Sequence, residues 1–120
     1  MILDTRANRS VTTTDATPTT IATIPISAGA PITQLEFEFT VRGREAATGD
    51  CWTRIIRGTI KRVGAAAAAL VGANATETRR DAGAFTWGAT ATASSNDLLV
   101  QVTGQAAKTI TWEILEESVR

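Results

Sequence analysis

Apolar and polar residues alternate along this chain in short bursts separated by turn-forming residues. The clearest burst is 35–44, where Leu35, Phe37, Phe39 and Val41 fall on one side and Glu36, Glu38, Thr40 and Arg42 on the other. A period of two is the mark of a half-buried β-strand. Residues 51–63 repeat the pattern, with Trp52, Ile56 and Ile60 opposite Arg57, Thr59 and Lys61. The intervening "EAATGD" reads as a loop, so the two strands are expected to pair around it. Glu36 and Glu38 would then lie near Arg57 and Lys61, each exposed cross-strand pair contributing about 0.2–1 kcal/mol and helping to fix register.

Further bursts follow. "IATIPI" at 21–26 reads as an earlier strand. In "AFTWGATATAS", Phe85, Trp87, Ala89 and Ala91 share a face. "SSND" reads as a turn. In 97–114, Leu98, Val100 and Val102 point one way, a Gly-containing stretch intervenes, and Ile110, Trp112 and Ile114 resume the pattern. The expectation is a closing β-hairpin with one apolar face. "GAAAAALVGA" is the ambiguous stretch. Its alanines favour helix, but the run between Gly64 and Gly72 is far shorter than the roughly 12–15 residues an isolated helix needs. A turn feeding a short strand through Leu70 and Val71 is expected instead. The Thr-rich start reads as an extended arm leading into the first strand. No segment holds a 3.6-residue period. The sequence therefore predicts an all-β protein: an antiparallel, jelly-roll-like β-sandwich over 16–120 as a single domain, with an extended N-terminal arm over 1–15.

Composition sharpens this picture. The 120 residues are 43% hydrophobic but only 5% aromatic, so the core must be built from Val, Ile, Leu and Ala around a few large anchors. Burial against identical subunits would supplement so thin a core. Twelve basic and twelve acidic residues cancel, which argues against a nucleic-acid partner and against a polybasic membrane anchor. A single cysteine, Cys51, allows no internal disulfide. No apolar run approaches the roughly 20 residues of a membrane-spanning helix, and the start carries no signal-peptide core. The opening Met suggests a complete gene product, made and used without export.

The inventory of reactive groups is short. There is no histidine, so neither a Ser-His-Asp triad nor a Cys-His dyad can be assembled. "GREAATGD" lacks the Lys-Ser/Thr ending of a phosphate-binding loop. Cys51 lacks partners for a zinc site and reads as a small buried residue at a strand start. No cofactor or metal is implied, and the chain is not expected to be an enzyme. Glu36 and Glu38 lie about 7 Å apart on one strand face. Paired carboxylates can serve glycoside hydrolysis, but nothing suggests the burial that would raise either pKa, and a solvated face balanced by arginines is expected. Trp112 reads as core and Trp87 as core or subunit interface. Trp52, beside the 43–51 loop, is the tryptophan best placed for exposure, and with Arg44, Glu45 and Asp50 it forms a candidate ligand-contact set. Arg79, Arg80 and Asp81 read as a solvated loop cluster, with an inter-subunit salt bridge as the second reading. The glycosylation sequons at Asn8 and Asn74 read as coincidence.

Several segments resemble structural proteins of tailed bacteriophages, both tail-fibre modules and small head proteins. The stretches that carry the likeness are "TTTDATPTTIATIPI", "EFEFTVRGREAATGDCWTRIIRGTIKRV" and "DLLVQVTGQAAKTITWEI". Shared features are a Thr-Asp entry, a long strand ending in Arg-Gly-Arg, a loop ending in Gly-Asp and a closing Val-Thr-Gly element. The resemblance covers most of 11–114 and departs at the alanine run. It implies a β-sandwich, often trimeric, displayed on a virion. For a chain of this length it implies a capsid decoration or cement protein, made in the host bacterial cytoplasm, with itself and the major capsid protein as partners. Ile2, Leu3, Val11 and Ile21 in the arm are the capsid-contact candidates. The alternative is a tail-fibre or receptor- and carbohydrate-binding module using Trp52 and the loop residues.

Overall fold

Two 13-residue strands form the spine of the molecule. A computed structural model describes residues 5–6 and 9–120; the arm candidates Ile2 and Leu3 lie outside the described residues. The strands are β1 (Thr5–Arg6), β2 (Ser10–Thr13), β3 (Thr19–Pro25), β4 (Ile32–Arg44), β5 (Cys51–Val63), β6 (Ala69–Leu70), β7 (Ala75–Arg80), β8 (Gly88–Ser94), β9 (Asp97–Thr103) and β10 (Ile110–Val119), with one 3-10 turn at Ala82–Ala84. β4 and β5 pair over their whole lengths, from Ile32 opposite Val63 to Arg44 opposite Cys51. At a strand rise of about 3.3 Å they run roughly 43 Å, most of the 50 Å long axis.

The strands form two antiparallel sheets that pack face to face as a sandwich. The larger has the order β1-β10-β4-β5-β6, with β2 also on β10 and β7 also on β5. The smaller has the order β3-β9-β8. Alternation decides what lies between them. Leu35, Phe37, Phe39, Val41, Trp52, Ile56, Ile60, Ile110, Trp112 and Ile114 face inward from the large sheet; Ile24, Leu98, Val100, Val102, Ala89 and Ala91 meet them from the small one. The alanines of β8 keep that side of the core thin and so leave room for the tryptophans. Trp112 meets Trp52 edge to face at 5.4 Å and Trp87 at 5.9 Å. Gly43 lies between Trp52 and Trp112 in the ladder, and a Cβ there would run into the Trp112 indole.

The expected closing hairpin is corrected. β9 belongs to the small sheet and β10 to the large one, and residues 104–109 cross between them. The two apolar faces therefore oppose each other across the core rather than lying side by side. Alternation identifies the face that is buried and leaves the neighbouring strand open. The hairpin that does form is β8–β9, joined at Ser95-Asn96 in the expected turn, with Ser95 at φ 53°.

The stretch assigned to an arm lies along β10. β2 pairs with it from Ile110–Thr13 to Glu113–Ser10. Buried Thr13 accepts a 2.9 Å hydrogen bond from Trp112 Nε1. Val11 packs against the core and Ile21 is inside it, so both find apolar partners within the chain. The alanine run behaves as expected, a turn followed by the two residues of β6. Val71, however, lies just beyond that strand and is 45% exposed.

Candidate functional site

One end of the sandwich collects four connections. The β4–β5 loop, the 81–87 segment, the β9–β10 crossing and the β2–β3 loop all meet there. Glu45 N–H bonds to the Asp50 carbonyl (3.0 Å) and Gly49 N–H to the Glu45 carbonyl (2.9 Å), closing the β4–β5 loop tightly. Thr48 Oγ1 donates to Glu45 Oε1 at 2.8 Å. This bond and Lys108, whose Nζ sits 3.6 Å from Glu45 Oε1, account for a carboxylate that is almost wholly buried. Lys108 also lies 4.0 Å from Asp50 Oδ2. Gly83 lies against Asp50 on the other side, where any Cβ would collide with its carboxylate. Asp81 clamps the base of β5: its N–H bonds the Cys51 carbonyl and its Oδ2 accepts from Cys51 N–H at 2.8 Å.

Between these groups lies an open cleft of about 310 Å³, lined by Arg44, Glu45, Gly49, Asp50, Cys51 and Thr111 among others. Arg44, Cys51 and Thr111 lie in one row across the outer face of the large sheet. Arg44 is tethered there. Its Nη2 lies 2.7 Å from Glu113 Oε1, which also accepts from Arg42 at 2.9 Å. The Arg42 hydrogen bond, with the charges of Arg42 and Arg44, holds the Glu113 carboxyl below its ordinary range, against a smaller opposing effect of burial. Phe85 stands at the same end, directly after the 3-10 turn that carries Gly83, and is 66% exposed. This end thus carries both an exposed apolar ring and tethered cations and anions, a surface suited to contact and recognition.

Three of the four ligand-contact candidates, Arg44, Glu45 and Asp50, are brought together here. Trp52 is not. It is 1% exposed, faces inward, and has the Arg54 guanidinium 4.9 Å from its ring centroid. Its Nε1 has no hydrogen-bond partner among the described residues. The exposed aromatic of this end is Phe85, which sequence alternation places with Trp87 on a core face. The 3-10 turn at Ala82–Ala84 breaks that alternation before β8 begins; the "DAGA" preceding Phe85 is the available signal. Cys51 is likewise corrected. It is exposed on the outer face, and its thiol donates to the Gly49 carbonyl at 3.5 Å. Lys108, which closes the end over Glu45, has no distinguishing pattern in sequence.

Elsewhere the outer face of the large sheet is a charge ladder. Arg57 pairs with Glu38 at 2.8 Å as expected. Glu36 lies opposite Thr59 rather than Lys61. Hydrogen bonds from Thr59 and then Gln34 hold its carboxyl below the ordinary range. Arg79 and Arg80 belong to β7 rather than a loop. Asn74 is tied to the Ala91 carbonyl through its side-chain amide at 2.8 Å.

The opposite end exposes apolar side chains beside Arg62, which donates to the Ile26, Ala65 and Ala66 carbonyls. Ile32 and Val63 face each other as the terminal pair of the β4–β5 ladder and are 57% and 47% exposed. The exposed Ala65, Ala66 and Ala67 follow in the adjoining turn. No protein-family model, curated protein or solved structure matches the chain.

Proposed function

We propose that this protein is a structural component of a bacteriophage virion, a capsid decoration protein that stabilises the head by binding between capsid subunits. The observation that carries the reading is the exposed Ile32–Val63 pair. Two large aliphatic side chains stand at the tip of the longest ladder, next to exposed alanines, where a small protein gains by covering them. The resemblance over 11–114 supplies the setting, a virion-displayed sandwich that assembles as a homotrimer. In that setting the partners are other copies and the major capsid protein. Binding to the assembled shell alone stabilises it by mass action.

A second reading, a tail-fibre or receptor-binding module, is favoured by exposed Phe85 at the same end of the sandwich as the Arg44–Asp50 cleft. Antibody raised to the purified protein and imaged as gold label on intact virions separates the two. Label spread over the head supports decoration. Label confined to the tail overturns it and makes the cleft the working surface.

A further inference from the structure

The sheet edges of this molecule are not equally protected. An open edge is a template for pairing with another chain. On the small sheet, β8 is covered: Arg54 Nη1 and Asn74 Nδ2 donate to its Ala89 and Ala91 carbonyls, each at 2.8 Å. β3 is bounded by Pro18 and Pro25 and interrupted by a register shift between Thr20 and Ala22. β7 has none of these devices. It is six residues long with no proline or bulge, is exposed along nearly its whole length, and pairs with β5 alone among the described residues.

Its backbone polarity can be read from the ladder. Asp81 N–H bonds the Cys51 carbonyl, which makes that pair a hydrogen-bonded position. In an antiparallel ladder such positions alternate. Arg79, Glu77 and Ala75 therefore turn their backbone groups toward β5, while Arg80, Thr78 and Thr76 turn theirs outward.

We propose that β7 pairs with β7 of a second copy, antiparallel, about a two-fold axis through Thr78. Thr78 would then face Thr78 of that copy, and Thr76 would face Arg80, all in hydrogen-bonded positions exchanging about six bonds. Glu77 would face Arg79 of the second copy in both non-hydrogen-bonded positions, where side chains come closest. The sequence Glu77-Thr78-Arg79 is thus self-complementary in charge only when antiparallel. Both side chains are well exposed and, within one molecule, bridge each other along the strand at 3.0 Å. They lie on the outer face of the large sheet, so pairing extends that face across two molecules.

This contact is distinct from the threefold assembly proposed above and does not rest on the capsid reading. A single strand pair buries less than the roughly 1,200 Å² of standard interfaces, so the dimer is weak in solution and is strengthened where many copies are held together.

Sedimentation equilibrium of the full chain tests it. Glu77→Arg alone would oppose arginine with arginine twice, and Arg79→Glu alone would oppose glutamate with glutamate twice. Each is expected to weaken dimerisation by about tenfold or more. In an equimolar mixture, both arginines of the first variant face both glutamates of the second, and wild-type association should return. A wild type that stays monomeric to about 1 mM, single variants that associate as tightly as wild type, or a mixture that fails to recover would each overturn the proposal.

Discussion

Glu113 shows how one outer-face residue organises its surroundings and how that can be measured. Its carboxylate holds both Arg42 and Arg44, and it titrates below its ordinary value near 4.5 in the folded protein. As pH falls the unfolded chain takes up a proton at this group first. The contribution to stability is therefore complete above the ordinary value of 4.5 and is lost as pH falls through the folded value. The side chains are a third to a half exposed, so the effect is small, about 1 kcal/mol or less. Glu113→Gln should be less stable than wild type in urea unfolding at pH 7, by a gap that narrows as pH falls below 4.5; a gap that does not narrow would refute this. At this scale the sequence was only partly legible. It named Arg44, Glu45 and Asp50 because they flank a loop between two clear strands. It missed the exposure of Phe85 and Cys51 and the burial of Trp52. Phe85 follows a 3-10 turn, where alternation does not apply; Trp52 and Cys51 obey the alternation of β5, which places Trp52 with Ile56 and Ile60 and Cys51 on the opposite face.

At the scale of elements, periodicity found the strands and not their neighbours. β4 and β5 were legible as a pair because a short loop joins two long amphipathic strands and leaves one simple way to bury both faces. β9 and β10 carry equally clear alternation, yet they part into different sheets. Closing a sandwich requires chain crossings between sheets, and a Gly-containing connection serves a crossing as well as a turn. β2 shows what fixes such an element once the core exists. It is short and at the edge, but Thr13 reaches the buried Trp112 Nε1. Thr13→Val keeps the shape and leaves that indole N–H without its partner, at a cost of about 1–3 kcal/mol. The loss should appear as a lower denaturation midpoint, with faster amide exchange in residues 10–13 than in β4. Unchanged exchange in 10–13 would mean that the ladder with β10, rather than the core bond, secures this strand.

For the whole molecule, the two ends set up a direct contest between functions. The long axis of 50 Å separates an apolar tip, with Ile32 and Val63, from a polar tip carrying Phe85 and the cleft. The β4–β5 ladder makes this separation rigid, since Ile32–Val63 and Arg44–Cys51 are its first and last pairs. Substitutions at one tip should leave the other undisturbed, as distant sites behave independently. Ile32→Ser with Val63→Ser removes exposed apolar surface and should leave the thermal midpoint almost unchanged. In a decoration protein the same change should weaken binding to heads lacking the protein by at least about tenfold, since two aliphatic side chains lose most of their burial on the shell. Phe85→Ala should leave head binding at wild-type strength and, in the receptor-binding reading, abolish cell attachment instead. Co-sedimentation of each variant with heads, alongside adsorption to host cells, assigns the working end. If the Ile32/Val63 variant binds heads as wild type does, the apolar tip is not the docking surface and the decoration proposal loses the observation that carries it.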